Sequence, residues 1–214
     1  SLLSSTLHSY FEGREELFKG LAIETLEKEW TEYPVLHFDL STFKNCDLSL
    51  FPEKFDMQLR RFEKQFGIED MRKSAGNRLT QLIEQAESMT GRKVVIIIDE
   101  YDAPLLDVLH DETKLEAVRT IMQEFYAPIK ANSSHIHFAF ITGITKFSQL
   151  SIFSTINNLT NISMDPEFST ICGITKDELD TVLKEDIALL ASKNHVSFER
   201  MRELLRENYD GYHF

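Results

Sequence analysis

Lys93-Val94-Val95-Ile96-Ile97-Ile98-Asp99-Glu100-Tyr101-Asp102 is the stretch that decides the fold. Five branched apolar residues run without a break and stop at two carboxylates. A run this short and this rich in β-branched residues predicts a strand buried on both faces. Strands of that kind belong to parallel α/β sheets, which bind ligands beyond their carboxyl ends. Asp99 and Glu100 therefore stand where chemistry is expected.

The segments on either side repeat the theme. Val35–Leu40 reads as a second strand, with Pro34 tolerated at its start and Asp39 near its carboxyl end. His135–Thr142 reads as a third, apolar on both faces, running into Gly143-Ile144-Thr145-Lys146. Helical spacing fills the gaps. Phe55, Leu59, Phe62 and Phe66 mark one amphipathic helix; Ala75, Leu79, Leu82, Ile83 and Ala86 mark a second, ended by Thr90-Gly91. Leu115, Val118, Met122, Phe125 and Ile129 mark a third. Strands alternating with helices predict a parallel sheet covered on both faces.

At the amino end, Leu3, Leu7, Tyr10 and Phe11 form a helix already running at the first residues, so an element upstream of Ser1 is expected. A short helical stretch should follow with Leu17, Leu21 and Leu26 inward. After Lys146 the chain turns Ser/Asn/Thr-rich, with Leu159–Ser163 read as a short edge strand. Asp177–Ala191 then reads as one helix, capped by Thr175 and Glu178. Phe198, Met201, Leu204 and Leu205 mark the last helix. The expected division is a core over residues 1–165 and a helical lid over 166–214.

Composition narrows the function classes. The 214 residues suit one α/β domain with a small appendage. A net charge of −12 argues against direct nucleic-acid binding and anionic membrane surfaces. Two cysteines, Cys46 and Cys172, make no disulfide framework and have no metal spacing. No apolar stretch is long enough to span a bilayer, and no signal peptide is visible, so a cytoplasmic protein is expected. His135 and His137 share a strand face; a strand-end histidine pair without a third ligand is the plainer reading over a metal pair.

The apolar run ending in Asp-Glu is what nucleotide hydrolysis on a phosphate-loop sheet requires. One carboxylate, Asp99, would hold magnesium, usually through water; the second, Glu100, would orient and polarise the attacking water. Thr142, ending the next strand, could touch a phosphate or that water, and Lys146 could add positive charge. The plain alternatives are a solvated strand end, a strand-terminating hydroxyl and a solvated loop lysine. Asp102 and Asp107 read by default as surface, although Asp102 could hydrogen-bond within the turn.

The residues also resemble a family, the bacterial AAA-ATPase-like proteins, which are phosphate-loop ATPases. The matching stretches are Ser1–Leu7, Tyr10–Gly13, Leu17–Ile23, Pro34–Asp39, Val94–Leu105, Phe140–Phe147, Ile152–Ser154, Asn157–Leu159, Ile171–Gly173 and Tyr209–Phe214. The resemblance implies ATP and Mg2+ as ligands, Asp99 as magnesium carboxylate and Glu100 as catalytic base. It implies Ser1 as a magnesium-ligating hydroxyl and Thr142 as a sensor-like polar residue. Asp39 would support the site. It also implies a phosphate loop and first strand lying before Ser1, so this stretch alone is expected to be inactive. A nuclease-like domain further along the same chain and an oligomeric assembly are compatible with it. A non-hydrolysing regulatory or interaction module is the competing reading. A metal-dependent nuclease site is the weakest, because no lysine follows the carboxylates at nuclease spacing.

Overall fold

The computed structural model describes residues 1–69, 74–144 and 159–209. Their positions fall into two compact units, Ser1–Leu159 and Thr160–Phe214. The first unit holds a three-stranded parallel sheet of β1 (Val35–Asp39), β2 (Val94–Asp99) and β3 (Ile136–Ile141), in that spatial order.

β2 is central and buried along its whole length, so both of its faces must be covered. One face packs Val94, Ile96 and Ile98 with Leu36 and Phe38 against three helices. These are α3 (Phe51–Gln65), α4 (Ala75–Thr90) and α6 (Glu112–Ala131). They contribute Phe55, Leu59, Phe62, Leu79, Leu82, Ile83, Met122 and Phe125. The opposite face packs Val35, Val95 and Ile97 with Phe138 and Phe140 under α1 (Leu2–Phe11), through Leu7, Tyr10 and Phe11. Each fully buried aliphatic side chain of β2 contributes roughly 2 kcal/mol of transfer free energy. The uninterrupted apolar run is thus the consequence of a strand sandwiched between two helical layers.

The helix termini follow their signals. Ser1 is the N-cap of α1, its hydroxyl accepting the Ser4 N–H at 3.3 Å. Ser74 caps α4, which Gly91 ends in the left-handed region at φ 67°. Asp111 caps α6. Between β2 and α6 the short helix α5 (Ala103–Leu106) carries Pro104 in its first turn.

Along the outer margin of β1, side chains of α3 replace a neighbouring strand. Arg61 Nη2 donates to the His37 carbonyl at 2.6 Å, and Gln58 Nε2 donates to the Asp39 carbonyl at 2.6 Å. Across the α3–α4 interface lies a buried ionic cluster. Arg78 makes two bonds to Glu63, at 2.6 and 2.7 Å, and a third to Asp56 at 3.0 Å.

Four expectations fail. Leu17, Leu21 and Leu26 are exposed, because residues 15–26 make only a 3-10 turn and the four-residue α2 (Ile23–Leu26); Phe18 is the residue that goes inward. The strand expected at Leu159–Ser163 is absent: Asn161 Oδ1 instead accepts the Ser163 N–H in a local turn. The helix expected over Asp177–Ala191 is broken into α7 (Lys176–Asp180) and α8 (Lys184–Lys193), with Val182 in the break left 75% exposed. The Thr175–Glu178 capping box at its start is present. Finally, β3 is apolar in sequence yet only partly buried.

The second unit is helical. Ile187 and Ala191 of α8 pack with Met201 of α9 (Phe198–Tyr209), with Leu204 and Leu205 alongside. No helix among the described residues is long and apolar enough to cross a membrane. Cys46 and Cys172 are both free thiols.

Candidate functional site

The carboxyl ends of the three strands converge on the acidic turn after β2. Asp99 is the last residue of β2 and is only 6% exposed. In register beside it on β1 is Asp39. On the other side β3 runs past its last paired residue to Thr142, whose N–H donates to the Ile98 carbonyl at 2.9 Å. The Thr142 carbonyl in turn accepts the Tyr101 N–H at 3.0 Å. The β3 exit is therefore stitched to the turn on both sides of Asp99-Glu100.

Glu100 has φ 53°, in the left-handed region that a long side chain occupies only at a cost. The conformation has a geometric effect. It ends the strand at Asp99, and the two consecutive carboxylates come to lie in different surroundings. Asp99 stays buried, whereas the Glu100 side chain is about one-third exposed and forms an ion pair with Lys44 Nζ. The same carboxylate holds the Lys44 ammonium above its ordinary range, assisted by Asp102 and Asp107.

Asp102 is the deepest acid of the cluster, 1% exposed. Its Oδ2 accepts the Ile144 N–H at 3.0 Å, which fastens the segment after Thr142 onto the acidic turn. The default reading of Asp102 as a surface residue is thereby corrected. Gly143 lies so close that a β-carbon there would sit 2.5 Å from Asp102 Oδ1 and from the Tyr101 ring. Burial, and then the Asp102 charge, push the Tyr101 phenol up to about 12. Tyr126, wholly buried beneath the turn, donates its hydroxyl to the Tyr101 carbonyl at 3.2 Å.

The N-cap of α1 lies against Asp99: the Ser1 backbone nitrogen is in contact with Asp99 Oδ2. The Ser1 hydroxyl bonds the buried Ser4 hydroxyl at 2.7 Å. Ser1, Asp99, Glu100 and Thr142 are thus gathered at one end of the sheet. Asp39 is near them in register but exposed, and its carboxylate accepts the Ser41 N–H at 2.9 Å, capping the next turn. Lys146 lies outside the described residues. Lys44 carries no signal in the sequence; it sits in the loop after β1, and the packing of the next-door Phe43 among Phe51 and Phe55 helps bring it to the site. The two histidines part company: His135 ends the turn before β3 and pairs with Glu87, and His137 on β3 stacks on Tyr33 with ring centres 4.1 Å apart.

No group of three or more His, Cys, Asp or Glu among the described residues is arranged to hold a metal ion. A buried single carboxylate such as Asp99 suits magnesium, which is commonly held by one or two carboxylates with water and substrate phosphates completing the shell.

Comparison with known proteins was made against this geometry. The profile of a family described as "Predicted AAA-ATPase" matches residues 1–153. A protein of Azotobacter chroococcum mcd 1, "Uncharacterized protein in vnfD 5'region", is 32% identical over 215 residues. That match takes in 100% of this chain and 40% of the relative, so the chain spans well under half the length of the protein it resembles. No solved structure matches it.

Proposed function

This chain belongs to the AAA-ATPase-like family, and on that premise we propose that it binds ATP with Mg2+ and hydrolyses it at the carboxyl end of β2. The observation that carries the reading is the divergence of two adjacent acids. Asp99 is buried at the end of the central strand, and Glu100 is turned away from it by a left-handed backbone. Metal holding and water activation demand different things of a carboxylate, and one residue cannot serve both geometries.

The fit to magnesium rests on Asp99 as an inner or water-mediated ligand, with Ser1 as the neighbouring hydroxyl. Bound there, the ion would neutralise charge developing on the phosphates. Glu100 accepts a proton from, or orients, the attacking water. Thr142 is fixed through both its backbone groups to Ile98 and Tyr101, and its hydroxyl is assigned to contact with a phosphate or the attacking water. Asp39 sits further out and supports the margin of the site. Lys146 is assigned to phosphate contact from the sequence alone.

Phosphate release by the intact protein in Mg-ATP tests the reading. Glu100→Gln should lower kcat by about 100-fold or more, the usual contribution of a positioned acid–base group, while nucleotide binding persists. Asp99→Asn should instead weaken Mg-dependent binding. Turnover indifferent to Glu100→Gln would overturn the assignment. Binding without turnover in the wild type would favour the non-hydrolysing module.

A further inference from the structure

We propose that Lys44 is a positioning residue that restrains Glu100: its ammonium occupies the carboxylate that must otherwise engage the attacking water. The inference rests on the reading of Glu100 as the catalytic base.

Lys44 is held more firmly than a surface lysine. Phe43, the preceding residue, is 1% exposed and packs edge-on to Phe51 with ring centres 5.1 Å apart. The Lys44 N–H donates to the Ser41 carbonyl at 3.1 Å. Asn45, the following residue, sits at φ 53° and its N–H donates to Asp107 Oδ2. The loop after β1 is therefore pinned on both sides of Lys44 and laid against the acidic turn. Glu100 is fixed equally well from the other direction. The Tyr101 N–H bonds the Thr142 carbonyl, and the Ala103 N–H bonds the Glu100 carbonyl at 3.0 Å.

Two anchored backbones thus present one cation to one anion. Asp102 and Asp107 stand near enough to favour the charged form of Lys44, so the cation stays available to Glu100. A carboxylate whose lone pairs face an ammonium is a poorer acceptor for a water proton. Both side chains are about one-third exposed, at 37% for Lys44 and 34% for Glu100. A pair that exposed is weak enough to be opened by a ligand carrying its own charge. The geometry therefore describes a restraint that yields, not a permanent lock.

Steady-state hydrolysis and lysine labelling of the intact protein test this together. Lys44→Ala should raise kcat about two- to fivefold, the factor an exposed ion pair supports, with KM unchanged. Lys44→Arg, which keeps the cation, should hold the lower rate, and Lys44→Ala combined with Glu100→Gln should be as slow as Glu100→Gln alone. Competitive acetylation read by peptide mass spectrometry should label Lys44 about two- to fivefold faster in Glu100→Gln than in wild type, and Mg-ATP should produce a similar rise in wild type. Glu100-dependent turnover that Lys44→Ala leaves unchanged or lowers would overturn the restraint and leave the hydrolysis reading intact. Absence of turnover in every variant would overturn both. Lys44 labelling that ignores Glu100→Gln would show that the two side chains do not pair, and would also overturn it.

Discussion

Replacing Arg78 by Met should be among the most damaging single changes in the first unit. Glu63 is 0% exposed and Arg78 6%. Arg78 Nε and Nη2 satisfy both Glu63 oxygens, while Nη1 reaches Asp56. The bonds to Glu63 come first among the causes that hold Arg78 above its ordinary range. Methionine fills a similar volume but leaves a buried carboxylate without its counterion. Removing one member of a buried pair costs about 3–5 kcal/mol, a large share of a typical total of roughly 5–15 kcal/mol. Asp56 suffers less, since Arg60 remains bonded to it at 2.7 Å. Glu63→Gln should accordingly be the milder change, because Arg78 keeps Asp56. Urea unfolding is the assay. Trp30 is the chain's single tryptophan and lies within this unit, so its emission reports the unit separately. With a slope of about 2 kcal/mol per M, Arg78→Met should lower the midpoint by about 2 M. Pairing it with Glu63→Leu should recover most of the loss, since a matched apolar pair needs no counterion. A loss under about 1 kcal/mol for Arg78→Met would refute the account. So would a double variant as unstable as the single one.

Two further outcomes follow from the geometry. Gly143→Ala should loosen the bond between the β3 exit and the acidic turn, since the added carbon would lie 2.5 Å from Asp102 Oδ1 and from the Tyr101 ring. An overpacking cost of about 1–3 kcal/mol is expected, and faster exchange of the Ile144 amide, read by NMR, would report it directly. His37 is held down to about 4, first by burial, then by His8 and Arg61, with Asp39 opposing. Its folded value lies below the ordinary 6.5, so the unfolded chain takes up the proton first. The stability it contributes is full above pH 6.5 and drains away as pH falls toward 4, by at most about 1.4 kcal/mol per pH unit for one proton. Urea titrations of wild type and His37→Gln should diverge over that window; a constant difference would refute the assignment.

What could be read in advance depended on how local the cause was. The Val94–Ile98 run, the Phe55–Phe66 stripe and the Thr175–Glu178 box each carry their instruction within a few residues, and each appears in the structure. Leu17, Leu21 and Leu26 have helical spacing, but the helical pieces there are four residues long, too short for a face to form. The split between α7 and α8 occurs inside an apolar periodicity that is continuous in sequence. At the site, the carboxylates announce themselves because their strand does. Asp102 and Lys44 do not, because their roles come from partners 42 and 56 positions away, Ile144 and Glu100. Charge type is visible in a sequence; the neighbour that gives it meaning is brought by the fold.

The outer margin of β1 has a consequence for how the protein behaves in a crowded solution. A strand at the end of a sheet ordinarily offers a ladder of unmet carbonyls, an invitation to any extended segment of another molecule. Here Gln58 and Arg61 already sit on two of those rungs. An incoming strand has to evict an amide and a guanidinium before it gains a single bond, so the sheet is discouraged from growing in that direction. Shortening both side chains should leave the fold standing and turn a closed border into an adhesive one.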